Sequence, residues 1–347
     1  MPNVSKKEQA VFFRQLGVVY AAGVPFFESL TAIETRLTNQ TLKAAVKAIS
    51  QDVERGIPFH LALKKFPKLF SPLVIAMVEA GEKGGMLGEV FKKIHAYLDR
   101  ELILQGEIRG ALRYPVIAMV SFILAFIVAV IFIIPKFSGI FSSFGAQLPL
   151  PTRILLGVNF VAVNYWWLVI ILGAGLWHWY KAYHETPSGR RQLDRLALKV
   201  PVFGELIIRV SLARIFYMLS TLVNGGISII AGMDIAASAS DNVEISEAMR
   251  KIQGEVLGGA KLADAMAGFS FFPPLAIQMI STGEKSGSLD EMFQKCAEYF
   301  NEEADSMVAN LTSLIEPFMI FFLAMLVVLL ALGIYLPMWS LTSVLAN

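Results

Sequence analysis

The chain carries one phrase twice: GEKGGMLGEVF at Gly81–Phe91 and GEKSGSLDEMF at Gly283–Phe293, 202 residues apart (283 − 81). Sliding the sequence on itself by that distance aligns much more than Gly-Glu-Lys. Phe70-Ser71-Pro72-Leu73 falls on Phe272-Pro273-Pro274-Leu275, Pro115 on Pro317, and Pro135 on Pro337. With one further residue of offset, FFRQLGVVYAAGVPFFESL from Phe12 falls on IFYMLSTLVNGGISIIAGM from Ile215, with Gly23 on Gly226 and Gly56 on Gly259. Several anchors sharing one offset identify a duplication. Each unit is a domain of about a hundred residues followed by one long apolar run.

Within a unit the periodicity is helical. Leu87, Val90, Phe91, Ile94, Leu98 and Leu102 share one face, with Lys92, Lys93, Asp99 and Arg100 opposite. Ala-Gly-Val-Pro at 22–25, Arg-Gly-Ile-Pro at 55–58 and Phe-Pro at 66–67 break the helices. Each unit therefore reads as a small antiparallel helical bundle. The doubled phrase sits at a helix corner. Gly81 is expected to end one helix, Gly84 and Gly85 to turn the chain, and Leu87 or Leu289 to begin the next. Two readings of Glu82 and Glu284 stand side by side: a carboxylate that caps or bridges helices, or one that binds a partner or a cation. Gly81, Lys83, Gly283 and Lys285 belong to the same corners. A nucleotide loop is excluded, because Lys precedes the glycines and no strand leads into them.

Only 17% of the 347 residues are charged and 55% are hydrophobic, where a soluble domain carries about 25% charged residues. Three runs lack Asp, Glu, Lys and Arg: 114–135 (22 residues), 154–180 (27) and 317–347 (31). About 20 apolar residues suffice to cross a bilayer as a helix. The sequence thus predicts an all-α membrane protein with three spans, at 114–135, 154–180 and 317–337. Tyr114-Pro115 and Glu316-Pro317 open the first and third, and Pro135 and Pro337 close them. The middle run has no counterpart in the duplication; it returns the chain so that both bundles face one compartment. Arg109 and Arg113 before the first span, and Lys181, Arg190 and Arg191 after the second, place residues 1–113 and 181–316 in the cytoplasm. The loop 136–153 and the tail 338–347 then lie outside. The opening MPNVSKKEQAVFFRQLG has no long apolar run, so no cleavable signal is expected and the first span acts as the insertion signal. Trp166 and Trp167, mid-span, are expected to pack against another helix. Residues 1–113 carry a net charge of +5 (16 Lys/Arg against 11 Asp/Glu) and 178–316 a net −5 (12 against 17). Such bundles could pair between subunits or face different partners, or the difference is drift on solvated faces.

The four histidines, His60, His95, His178 and His184, form no ligand spacing, and Cys296 is alone, so no metal, cofactor or catalytic group is assigned. A transporter is the competing function, with Asn159, Asn164 and Glu316 as its candidate polar groups. Both asparagines serve equally as hydrogen bonds between helices of an oligomer, and no acid or base lies mid-span.

The two GExxGxL corners, RYPVIAMV with IIPKF, and IEPFMIFF with YLPMW resemble the F-type platform family of type II secretion systems and type IV pili (GspF-like, PilC-like). The resemblance covers Phe12 to Pro337. Many members begin with several dozen more residues; this chain is similar to the shorter platforms of type IVb and Gram-positive pilus systems. The resemblance implies a non-enzymatic platform in the bacterial inner membrane, N-terminus cytoplasmic. Its implied partners are a hexameric cytoplasmic assembly ATPase, pilins or pseudopilins, other machine components, membrane lipids and further copies of itself; nucleic acid is not among them. Some relatives bind a cation through carboxylates of the first cytoplasmic domain, but no ligand set carries over to this sequence.

Overall fold

The structure, a computed structural model, describes residues 4–136, 149–238, 240 and 242–345. Most of the expected loop 136–153, the end of the expected tail 338–347 and the side chain of Pro337 lie outside the described residues. Among the described residues every regular element is an α-helix and no strand occurs.

Repeat 1 folds as α1 (Lys6–Ala21), α2 (Phe26–Arg36), α3 (Gln40–Glu54), α4 (Phe59–Lys64), α5 (Pro72–Gly84) and the first part of α6 (Leu87–Phe132). Then come α7 (Leu150–Asn164), α8 (Trp166–Glu185) and α9 (Pro187–Ala197). Repeat 2 follows as α10 (Phe203–Asn224), α11 (Ile229–Ser238), α12 (Val243–Leu257), α13 (Leu262–Ala267), α14 (Pro274–Ser286) and α15 (Leu289–Ala309), and α16 (Leu311–Leu345) closes the chain.

The duplication extends to individual backbone angles and caps. Helices α3 and α4 map onto α12 and α13 residue for residue at an offset of 203, and α5 maps onto α14 at 202. The single-residue change therefore falls in the loop between the fourth and fifth helices. Among the described residues, every glycine with positive φ belongs to a repeat pair: Gly23 with Gly226, Gly56 with Gly259, and Gly85 with Gly287. Asn39 Oδ1 accepts from Thr41 N and Leu42 N at 3.0 and 3.3 Å, and Asn242 Oδ1 accepts from Glu244 N and Ile245 N at the same distances. Both satisfy N–H groups that the first turn leaves unpaired.

The cores match as well. Phe13 lies 6.3 Å from Phe91 and 6.1 Å from Phe70; their counterparts Phe216, Phe293 and Phe272 lie at 6.1 and 6.3 Å. Such pairs add about 0.5–1.5 kcal/mol each beyond the area they bury. Lys6 pairs with Glu101 where Arg209 pairs with Glu303.

The chain divides into two compact units, Met1–Glu107 with Arg191–Met307, and Ile108–Arg190 with Val308–Asn347. The first holds both bundles. There, α10 of repeat 2 packs on the α5–α6 corner of repeat 1. Tyr217 stacks on Tyr97 at 6.0 Å and donates its hydroxyl to Lys93 O at 3.2 Å; Arg214 reaches Glu101 at 3.1 Å, and Arg100 pairs with Asp305.

The second unit is built from the apolar runs. The most apolar windows of Leu87–Lys136 and Leu289–Leu336 are only 11% and 6% buried, so their apolar side chains face outward, as a span facing lipid requires. Helix α10 is also long and apolar enough to cross, but 56% of its window is buried in the bundle core, where an apolar surface is already covered. The middle run is broken into two helices. α7 and α8 are bent by 82° at Tyr165, whose ψ of 19° at φ −125° leaves the helical region. Asn164 turns its amide back to Phe160 O at 3.0 Å, and Trp167 Nε1 donates to Asn164 O at 3.2 Å, satisfying a carbonyl the break exposes. Trp166 and Trp167 are both exposed rather than packed on a neighbouring helix.

Candidate functional site

The two Gly-Glu-Lys corners occupy the same place in each repeat, and both glutamates point into the protein. Helix α4 begins after Pro58, which has no side chain to cap it. Glu82, from the last turn of α5, supplies the cap: Phe59 N donates to its Oε1 at 2.6 Å and His60 N to its Oε2 at 3.1 Å. In repeat 2, Leu262 N and Ala263 N donate to Glu284 Oε1 and Oε2 at the same 2.6 and 3.1 Å. A carboxylate there satisfies two unpaired N–H groups and opposes the positive end of the helix dipole. It also ties the fourth helix to the fifth. Of the two readings of these glutamates, the structure displays the cap. Repeat 1 adds one contact that repeat 2 lacks, since His60 Nδ1 also bonds Glu82, whereas its counterpart is Ala263.

The glycines divide their work differently from the expectation that Gly81 ends the helix. Helix α5 continues to Gly84, and Gly85, at φ 67°, makes the left-handed stop; Gly287, at φ 73°, does so in repeat 2. Met86 N then donates to Gly81 O at 2.9 Å and Ser288 N to Gly283 O at 3.0 Å, closing each helix end. Gly81 and Gly283 are needed for proximity. A Cβ at Gly81 would sit 2.7 Å from Val90 Cγ2, and one at Gly283 would sit 2.7 Å from Met292 Cγ.

What each corner offers to solvent is its lysine. Lys83 is exposed and reaches Glu79 at 2.7 Å, one turn back; Lys285 is exposed as well. The Lys83 ammonium beside Glu79 holds that carboxyl below the usual carboxylate range. Among the described residues no group of three or more His, Cys, Asp or Glu is arranged to hold a metal ion. Cys296 is fully buried in the core of repeat 2.

The residues expected at the membrane boundaries lie inside helices. Tyr114-Pro115 is within α6, and Glu316-Pro317 and Pro337 are within α16; α6 ends at Phe132, just before Pro135. Proline has no N–H, so the carbonyl four residues earlier loses its helical donor. For Pro115 that carbonyl is Ala111 O, and Thr312 Oγ1 donates to it at 3.2 Å. For Pro337 it is Gly333 O, and Thr152 Oγ1 donates to it at 3.1 Å from a fully buried position. Asn159 Nδ2 likewise crosses between helices to Val130 O at 3.0 Å. These polar groups are occupied in helix packing; the sequence displayed the prolines but not their threonine partners.

A duplicated helical bundle joined to apolar helices, with a capped glutamate corner in each copy, defines an all-α membrane protein assembled from two equivalent halves. The chain belongs to the type II secretion system protein F family, whose model matches residues 12–135 and 215–337, one match per repeat. It is 34% identical to the type IV pilus assembly protein PilC of Thermus thermophilus over 98% of this chain and 84% of that protein. It is also 34% identical to PilC of Pseudomonas aeruginosa, over 99% of this chain and 92% of the relative. Type II secretion system protein F of Xanthomonas campestris is 30% identical, over 96% and 82% respectively.

Proposed function

We propose that this chain is the inner-membrane platform of a type IV pilus or type II secretion machine. In this role it couples a cytoplasmic assembly ATPase to the extraction of pilins or pseudopilins from the membrane. One observation carries the reading: the family match takes in both repeats, with relatives named for pilus assembly and for type II secretion. The architecture is suited to transmitting force. Each bundle is stiffened where Glu82 or Glu284 locks the fourth helix to the fifth, and α6 runs without interruption from bundle residues into the apolar run. The role requires no catalytic group of its own. Both bundles face the cytoplasm, further copies of the chain complete the platform, and Lys83 and Lys285 mark the surfaces offered to the ATPase.

The test is photo-cross-linking from Lys83 and Lys285 in native membranes, with mass spectrometry of the adducts. Adducts with an assembly ATPase from at least one position are the expected result. Adducts with lipid and self alone, in cells whose ATPase and machine are intact, would overturn the coupling.

A further inference from the structure

The two repeats meet in an unsymmetrical way, and this leaves one copy of each contacting face unused. Repeat 2 gives its first helix and repeat 1 gives its corner. Gly225 lies so close to Ala80 that a Cβ would come within 2.9 Å of the alanine methyl, and Tyr217 sits on Tyr97 and Lys93. A two-fold arrangement would repeat each contact with the roles exchanged, setting Ala22 against Thr282 and Arg14 on Tyr299. Instead Ala22, Arg14 and Thr282 are exposed. Val18, the counterpart of Thr221, is 66% exposed where Thr221 is 7%.

The unused face of repeat 1 is a groove floored by Phe13, Gly17, Val18 and Ala22 and edged by Arg14 and Lys92. His95 also lines it, and its Nδ1 is buried without a hydrogen-bond partner among the described residues. The unused corner of repeat 2 exposes Thr282 on α14 and, along α15, Glu291, Lys295, Glu298 and Glu302, with Lys295 paired to Glu291 at 2.9 Å, so that acidic groups outnumber basic ones. One face is apolar with a basic edge, the other is small with an acidic edge, and their shapes are related by the duplication.

We propose that a second copy of this chain sets the α1–α6 groove of its repeat 1 on the α14–α15 corner of repeat 2, reproducing between chains the contact made within one. The inference rests on the self-associating platform described above and names its interface. A head-to-tail contact of this kind closes into a ring or continues as a line, and does not stop at a two-fold dimer.

Cysteines at Ala22 and Thr282 test it, because they replace the counterparts of Gly225 and Ala80 and the native Cys296 is buried. In oxidised native membranes, an A22C chain and a differently tagged T282C chain are expected to form a mixed disulfide. A chain carrying both cysteines is expected to form a ladder of multiples. Arg14→Glu should reduce the mixed adduct at least tenfold, and Glu298→Arg should restore it. An A22C–A22C adduct, or no mixed adduct from a chain whose native mass shows several copies, would overturn the interface and leave the platform standing. A native mass of one copy, with the ATPase still cross-linked at Lys83, would overturn self-association and spare the coupling.

Discussion

Gly81 and Gly283 occupy one position in two copies of a corner, yet they face different neighbours. Val90 is branched at Cβ and held to few rotamers, whereas Met292 is unbranched and flexible. Gly→Ala within a helix gains up to about 1 kcal/mol of propensity, while forced overpacking costs about 1–3 kcal/mol. Beside Gly283, however, Met292 Cβ at 3.0 Å and Leu289 Cα at 3.2 Å stay in place whatever rotamer Met292 adopts, so Gly81→Ala and Gly283→Ala are both expected to destabilise, by up to about 2 kcal/mol. Thermal unfolding of the detergent-solubilised chain checks this, and unchanged melting temperatures for both variants would refute it. The two phrases were legible as a corner because their spacing and glycines repeat. Which glycine stops the helix was not legible, since GEKGG offers three, and only the packing of α5 against α6 assigns proximity to Gly81 and the left-handed turn to Gly85.

At the scale of elements, a proline in a membrane helix leaves a carbonyl that lipid cannot satisfy. Here threonines on other helices do so, at Ala111 O and Gly333 O. Thr312→Val should lower the melting temperature, and the loss should largely vanish in a Pro115→Ala background, where residue 115 again has an N–H for Ala111 O. The coupling expected from that cycle is about 0.6–1.7 kcal/mol, the range measured for hydrogen bonds between membrane helices; additive single effects would show that the pairing carries no energy. The prolines and the apolar runs were plain in the sequence. The threonines were not, because Thr312 and Ala111 stand 201 residues apart and nothing in either segment names the other. The 82° bend was equally hidden. No proline or glycine marks Tyr165, and the break depends on how the Asn164 amide and the Trp167 indole are placed.

At the scale of the whole molecule, one repeat packs on the other closely enough at Gly225 and Ala80 that a Cβ on Gly225 would come within 2.9 Å of the alanine methyl. Gly225→Leu should force the bundles apart without unfolding either. Hydrogen exchange would then accelerate in α5 and α10 while the cores around Phe91 and Phe293 stay protected. Global loss of protection would mean that the repeats cannot stand apart. The duplication and the opposite charges of the halves could be read from the sequence. Their union in one unit could not, because it depends on a surface that only the folded α10 and α5 create.

The first bundle and its partner are separated in the chain by the membrane helices, so they meet late. Repeat 1 is complete at Glu107, but the last residues of its docking partner, near Met307, leave the ribosome about 200 residues later. At ordinary translation speeds that is roughly 10–40 s. Throughout that interval Ala80, Lys93 and Tyr97 lie open to the second repeat of any finished neighbour. Chains made close together on one message can thus trade partners before each closes on itself.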